Sequence, residues 1–173
     1  MKNDIIDRIF LKLLLATAAF LLSVSFSFAQ PGLPQRFITV TATQPIHFGT
    51  FCLTGAAGGT VIVGHDGSKT STGDIYLSAL APTAQPAIFE IKLCQGRNVT
   101  ITFDPSTTLA GSNGGEFTMD IGPTEKGING SSFLVNNDCN FITILRVGGT
   151  LHVPGLSPAG IYTGSLNITF EQE

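Results

Sequence analysis

The sequence predicts an all-β fold, an antiparallel sandwich of about eight or nine strands. Two observations carry this. Polar and apolar residues alternate with a period of two through most of the chain, as in Phe89-Glu90-Ile91-Lys92-Leu93 and Val99-Thr100-Ile101-Thr102-Phe103. Such alternation gives a strand one buried and one wet face. Turn-forming clusters then cut the runs into short pieces, among them Asp66-Gly67, Gly111-Ser112-Asn113-Gly114-Gly115 and Pro158-Ala159-Gly160. After Gln30 no segment shows a helical stripe of apolar residues.

The first 29 residues read differently. Lys2, Arg8 and Lys12 make a basic start, and Leu13 to Phe26 is an almost continuous apolar run of 14 residues. That is short of the roughly 18 to 20 that cross a bilayer. Ser27-Phe28-Ala29 then presents small residues at the two positions a signal peptidase inspects. A basic region, an apolar region and a small-x-small site form a secretory signal. Cleavage is expected between Ala29 and Gln30, giving a signal peptide over 1–29, a helix during export, and a single domain over 30–173. Asp4 and Asp7 are unusual in such a leader.

Along the mature chain the expected strands lie near 36–42, 46–52, 60–64, 73–78, 87–94, 98–104, 116–122, 140–153 and 160–171. Asp66-Gly67 reads as the hairpin turn between Val61-Ile62-Val63 and the strand at Asp74 to Leu77. The strand from Phe141 carries Gly148-Gly149 in its middle, where a bend would let one strand serve both sheets. Residues 122–140, polar and rich in Gly and Asn, read as a long surface loop.

Charge narrows the function. The leader holds three basic and two acidic residues, which leaves six basic and ten acidic in the mature chain, net −4. A nucleic-acid partner would call for a basic surface, so none is expected. The membrane is met only through the signal peptide during export. His47, His65 and His152 stand apart from any catalytic motif, and the chain lacks the G-x-S-x-G, H-E-x-x-H and Gly-rich phosphate-loop patterns. No enzyme, cofactor or metal is expected.

Several motifs fall in a fixed order: Phe48-Gly49-Thr50-Phe51, Gly58-Gly59-Thr60-Val61, Asp66-Gly67-Ser68-Lys69-Thr70 with Thr72-Gly73-Asp74, and Pro86-Ala87-Ile88-Phe89-Glu90. They continue with Leu109-Ala110-Gly111-Ser112-Asn113-Gly114-Gly115, Val147-Gly148-Gly149-Thr150-Leu151 and Pro158-Ala159-Gly160-Ile161-Tyr162-Thr163-Gly164. The series, over nearly all of 37–173, resembles the secreted bacterial family called domain of unknown function 4402. The resemblance implies an immunoglobulin-like sandwich and a fimbria-like or cell-surface setting. It implies no catalytic residue. Gly148, Gly149, Gly160, Tyr162 and Gly164 are expected to be structural. Tyr162 would fill the sandwich end and need a backbone partner for its hydroxyl; the glycines would supply positive φ or close approach.

Cys52, Cys94 and Cys139 depart from the pattern of many members. An oxidising compartment favours a disulfide, and an odd count leaves one thiol over. In an immunoglobulin-like order the strand at 87–94 would lie antiparallel beside the one starting near 140, bringing Cys94 near Cys139. Cys52–Cys94 and no bond are the alternatives.

Two function classes remain. One is an exported structural protein of the periplasm, cell surface or extracellular space, fimbria-like or adhesion-related, binding itself or other surface subunits by strand addition. Residues 36–42 would then pair within the chain or be donated to a neighbour. The other is a non-catalytic carbohydrate- or matrix-binding module, although the chain has no Trp and only Tyr76 and Tyr162 as tyrosines.

Overall fold

The computed structural model describes residues 12–14, 17, 37–95, 97–136, 138 and 140–172. The chain divides into two compact units, Met1–Pro34 and Gln35–Glu173. Of the leader, Lys12 to Leu14 and Thr17 are helical. The expected cleavage point at Ala29 and Gln30, and Cys139, lie outside the described residues. Among the described residues no helix is long and apolar enough to cross a membrane.

The second unit is an antiparallel β-sandwich of thirteen strands among the described residues. They are β1 (Phe37–Gln44), β2 (Phe51–Leu53), β3 (Gly58–Val63), β4 (Lys69–Gly73), β5 (Ile75–Leu77), β6 (Ala87–Cys94) and β7 (Asn98–Phe103). Then come β8 (Ser106–Gly111), β9 (Glu116–Thr124), β10 (Ser132–Leu134), β11 (Thr143–Pro154), β12 (Tyr162–Thr163) and β13 (Ile168–Gln172). The main sheet runs β1-β6-β11-β9-β8-β12, with the β3–β4 hairpin also joined to β11. The smaller sheets are β10-β7-β13 and β2-β5.

Side-chain alternation decides which face is buried. In β9, Phe117, Met119 and Ile121 point inward while Thr118 and Asp120 face solvent. In β7, Val99, Ile101 and Phe103 are inside. Ile91, Leu93, Ile101, Leu145 and Val147 are fully enclosed, and each such side chain contributes about 1.5–3 kcal/mol by leaving water. Aromatic pairs join the layers: Phe89 of β6 lies 5.8 Å from Phe170 of β13, and Phe51 of β2 lies 6.3 Å from Phe117 of β9.

The paired glycines of β11 suggest a bend that would let it serve both sheets; instead β11 stays in the main sheet throughout and changes partner there. Its first half pairs with β6 from Thr143↔Ile91 to Val147↔Ala87. From Gly149↔Val63 onward its partner on that side is β3. The hand-over falls at Gly148, where an added Cβ would sit 2.5 Å from the Val63 carbonyl oxygen and 2.9 Å from the His65 nitrogen. On the other side the register with β9 slips between Val147 and Gly149, so that Gly122 and Pro123 together oppose Gly148. This is a β-bulge, the one place inside a sheet where proline is tolerated. Gly122 takes φ +93° there.

Four further sequence expectations need correction. Asp66-Gly67 joins β3 to β4, not to the strand at Ile75–Leu77. β8 occupies a stretch where no strand was expected, because its ladder with β9 holds it while only Leu109 supplies a large apolar side chain. The run expected over 160–171 is two strands in different sheets, β12 beside β8 and β13 beside β7. Finally, residues 122–140 are not merely a surface loop: β10 pairs with β7, and Phe133 and Val135 enter the core.

Candidate functional site

The sandwich offers an outer sheet face, strand edges and an end closed by a tyrosine. Tyr162 of β12 stacks on Phe117 of β9, with ring centroids 3.6 Å apart and planes 9° from parallel. Its hydroxyl donates to the Pro158 carbonyl at 2.7 Å. The flanking glycines act by close approach and not by backbone sign: neither Gly160 nor Gly164 has positive φ. A Cβ on Gly164 would sit 2.6 Å from the Thr108 carbonyl oxygen, and one on Gly160 would sit 2.9 Å from the Ser112 hydroxyl. Gly149 is also a contact position, against Ile46 and the Asp120 carbonyl. Tyr162 is thus committed to structure, and Tyr76 of β5 is the exposed tyrosine.

Register aligns a polar row across the outer face of the main sheet. Thr72, Thr60, His152, Thr118 and Thr108 stand side by side on β4, β3, β11, β9 and β8. Thr60 and Thr72 hydroxyls are 2.7 Å apart. His152 Nε2 lies 2.7 Å from the Asp120 carboxylate of the neighbouring row. His152 alternates with Leu151 and Val153 and so faces outward, but nothing local in the sequence reveals its acidic partner. The two are 32 positions apart, and only the β9–β11 register, itself shifted by a bulge, brings them together. Glu125, just past β9, and Arg146 of β11 form a salt bridge at 3.0 Å. His47 and His65 do not join this pair: His47 Nδ1 accepts from the Gly49 N–H at 2.9 Å, and His65 sits beside the β3–β4 turn. Among the described residues no cluster of three or more His, Cys, Asp or Glu side chains could hold a metal.

The cysteines fall in separate places. Cys52 lies mid-way along β2, exposed, as a free thiol. The alternative Cys52–Cys94 bond is therefore not made: β2 belongs to the small β2-β5 sheet, while Cys94 is buried at the end of β6 in the main sheet.

The edges are of two kinds. β1 ends the main sheet, pairing with β6 of its own chain from Phe37↔Cys94 to Gln44↔Ile88. Ile38 and Val40 turn inward against the core. Among the described residues β2 pairs only with β5, and no strand lines its other edge.

These features define an antiparallel β-sandwich whose longest strand changes partner within the main sheet at a paired glycine. The chain belongs to the family described as domain of unknown function (DUF4402), which it matches over residues 38–171. No curated protein and no solved structure matches it significantly.

Proposed function

We propose that this chain is an exported, non-catalytic structural protein of the cell surface, a fimbria-like subunit that binds copies of itself or other surface subunits by strand addition. The observation that carries the reading is the position of β1. Among the described residues it is the first strand after the expected leader, and it occupies the end of the main sheet with β6 as its one ladder partner. An edge strand next to a terminus is the element most easily exchanged between subunits, since leaving one copy's β6 for another's preserves every ladder hydrogen bond.

Export also gives the cysteines a role. The β6–β11 ladder ends at Ile91↔Thr143, three residues short of Cys94 on β6 and four residues after Cys139 in sequence. A Cys94–Cys139 disulfide fits that geometry and would brace the sandwich in oxidising surroundings.

The test is electron microscopy and size exclusion of the mature chain, beside a variant lacking residues 30–42. Donation predicts heat-resistant polymers from the full mature chain, and a folded, non-polymerising deletion variant. Loss of the monomer fold on deletion would show that β1 serves only its own domain. Mass spectrometry of exported material should find Gln30 at the N-terminus; a chain beginning at Met1 would refute cleavage.

The second reading, a carbohydrate- or matrix-binding module, draws on the hydroxyl and imidazole row of the outer sheet face. Reproducible glycan-array binding by monomer, lost with Thr60→Val and His152→Ala together, would favour it.

A further inference from the structure

The free edge of β2 has a register of its own. Thr54 N–H donates to the Asp74 carbonyl and Ser78 N–H to the Thr50 carbonyl. These fix 54↔74 and 50↔78 as hydrogen-bonded pairs, and 52↔76 lies midway between them in the same ladder. In an antiparallel ladder such pairs alternate with non-bonded ones. The N–H and C=O groups of Phe51 and Leu53 therefore point away from β5. Among the described residues no other strand pairs with them. Their side chains turn the other way, onto the core. At the middle of this open edge stands the exposed thiol of Cys52.

We infer that β2 is a self-association edge, where two copies pair antiparallel about a two-fold axis and are locked by a Cys52–Cys52 disulfide. In that arrangement Phe51 of each copy exchanges two hydrogen bonds with Leu53 of the other, four in all. Cys52 then faces Cys52 as the non-hydrogen-bonded pair. Cα atoms in such a pair lie about 4.5 Å apart, inside the roughly 4.4–6.8 Å window of disulfides. Both thiols are on the outer face of the sheet, so the bond needs no core rearrangement. A three-residue edge buries far less than the roughly 1,200 Å² of a stable interface. The covalent bond is what makes the dimer persist, and reduction dissolves it.

The chemistry is thiol–disulfide exchange with a small-molecule disulfide such as oxidised glutathione. One Cys52 thiolate attacks it, forming a protein–glutathione S–S bond, breaking the glutathione S–S bond and releasing one glutathione thiolate. Cys52 of the second copy attacks the protein sulfur of that mixed disulfide, forming the protein–protein bond and expelling the second glutathione thiolate. Two protein thiols are oxidised and one glutathione disulfide is reduced to two thiols, which take up the two protons. The inference draws on the export reading only for the oxidising surroundings, and the purified mature chain tests it independently of where the protein resides.

That chain is incubated with oxidised glutathione and followed by non-reducing electrophoresis, size exclusion and peptide mass spectrometry. The expected result is a dimer joined by a Cys52–Cys52 peptide, returned to monomer by dithiothreitol and absent from Cys52→Ser. Leu53→Pro removes an outward N–H without touching the β2–β5 ladder, and should lose the dimer. Should that variant fail to fold, a thiol moved along the strand gives the same test. Cys52→Ser combined with Thr54→Cys keeps an exposed thiol on the same face but off the two-fold axis, and should stay monomeric. A dimer through Cys94 or Cys139, a Cys52 that stops at the glutathione adduct, or equal dimer yield from the displaced thiol overturns the proposal.

Discussion

Gly148 has no room for a side chain. The carbonyl of Val63 and the nitrogen of His65 both lie within 3 Å of where a Cβ would stand. Both are backbone atoms that move only if β3 moves. Gly148→Ala should cost about 1–3 kcal/mol by overpacking, read as a lower urea midpoint with an unchanged slope. Asp66 acts through charge instead. Its Oδ1 accepts from the Ser68 hydroxyl at 2.6 Å and from the Ser68 N–H at 3.0 Å. The first of these, then the second, holds its carboxyl below the ordinary value of 3.8. A depressed carboxylate stabilises the fold fully above its unfolded value and stops doing so as pH falls through the folded one. The β3–β4 turn should thus hold at pH 5 and loosen only as pH falls below 3.8. NMR titration of the Asp66 carboxyl should give a midpoint under 3.8, and Ser68→Ala should move it back toward that value. A midpoint unmoved by the substitution would remove the Ser68 hydroxyl as the cause.

Among the elements, legibility in the sequence followed burial. β6, β7 and β9 could be read directly because large apolar residues alternate along them, and β11 because its glycines mark the point where it changes partner. β4, β8 and β10 could not. Lys69-Thr70-Ser71-Thr72-Gly73 has no apolar residue at all, and Ser132-Phe133-Leu134 is too short to show a period. What makes β4 a strand is its ladder with β3, a long-range fact that no local pattern records. The candidate surfaces divide in the same way. Tyr162 and its hydroxyl partner were foreseeable from the Gly-x-Tyr-x-Gly motif, whereas the His152–Asp120 pair and the open edge of β2 follow only from register. The central strands should also carry the stability. Ile91 sits on β6 between β1 and β11, fully enclosed. Ile91→Ala should cost about 2–5 kcal/mol. Thr70→Ala, on the exposed β4, should stay within about 0.5 kcal/mol. Parallel urea melts would show whether the stability is concentrated as the burial implies.

At the scale of the whole molecule, the sandwich is closed by long-range pairings, and its covalent bracing matters accordingly. The proposed Cys94–Cys139 bond would tie the end of β6 to the segment leading into β11, the strand that pairs with β6, β3 and β9 in turn. Closing a loop of about 45 residues is worth roughly 4 kcal/mol in the chain-entropy account. For a chain of this length each kcal/mol moves the melting midpoint by roughly 2–4 °C, so reduction should lower Tm by on the order of 10 °C. Substituting Cys94 alone would confound this, because the side chain is buried and its removal also costs packing. Dithiothreitol on the unaltered protein separates the two effects. A Tm that falls on reduction in Cys52→Ser, and does not respond to reduction in Cys139→Ser, assigns the bond to Cys94 and Cys139. A Tm indifferent to reduction in Cys52→Ser would mean that the sandwich holds by its buried apolar faces alone.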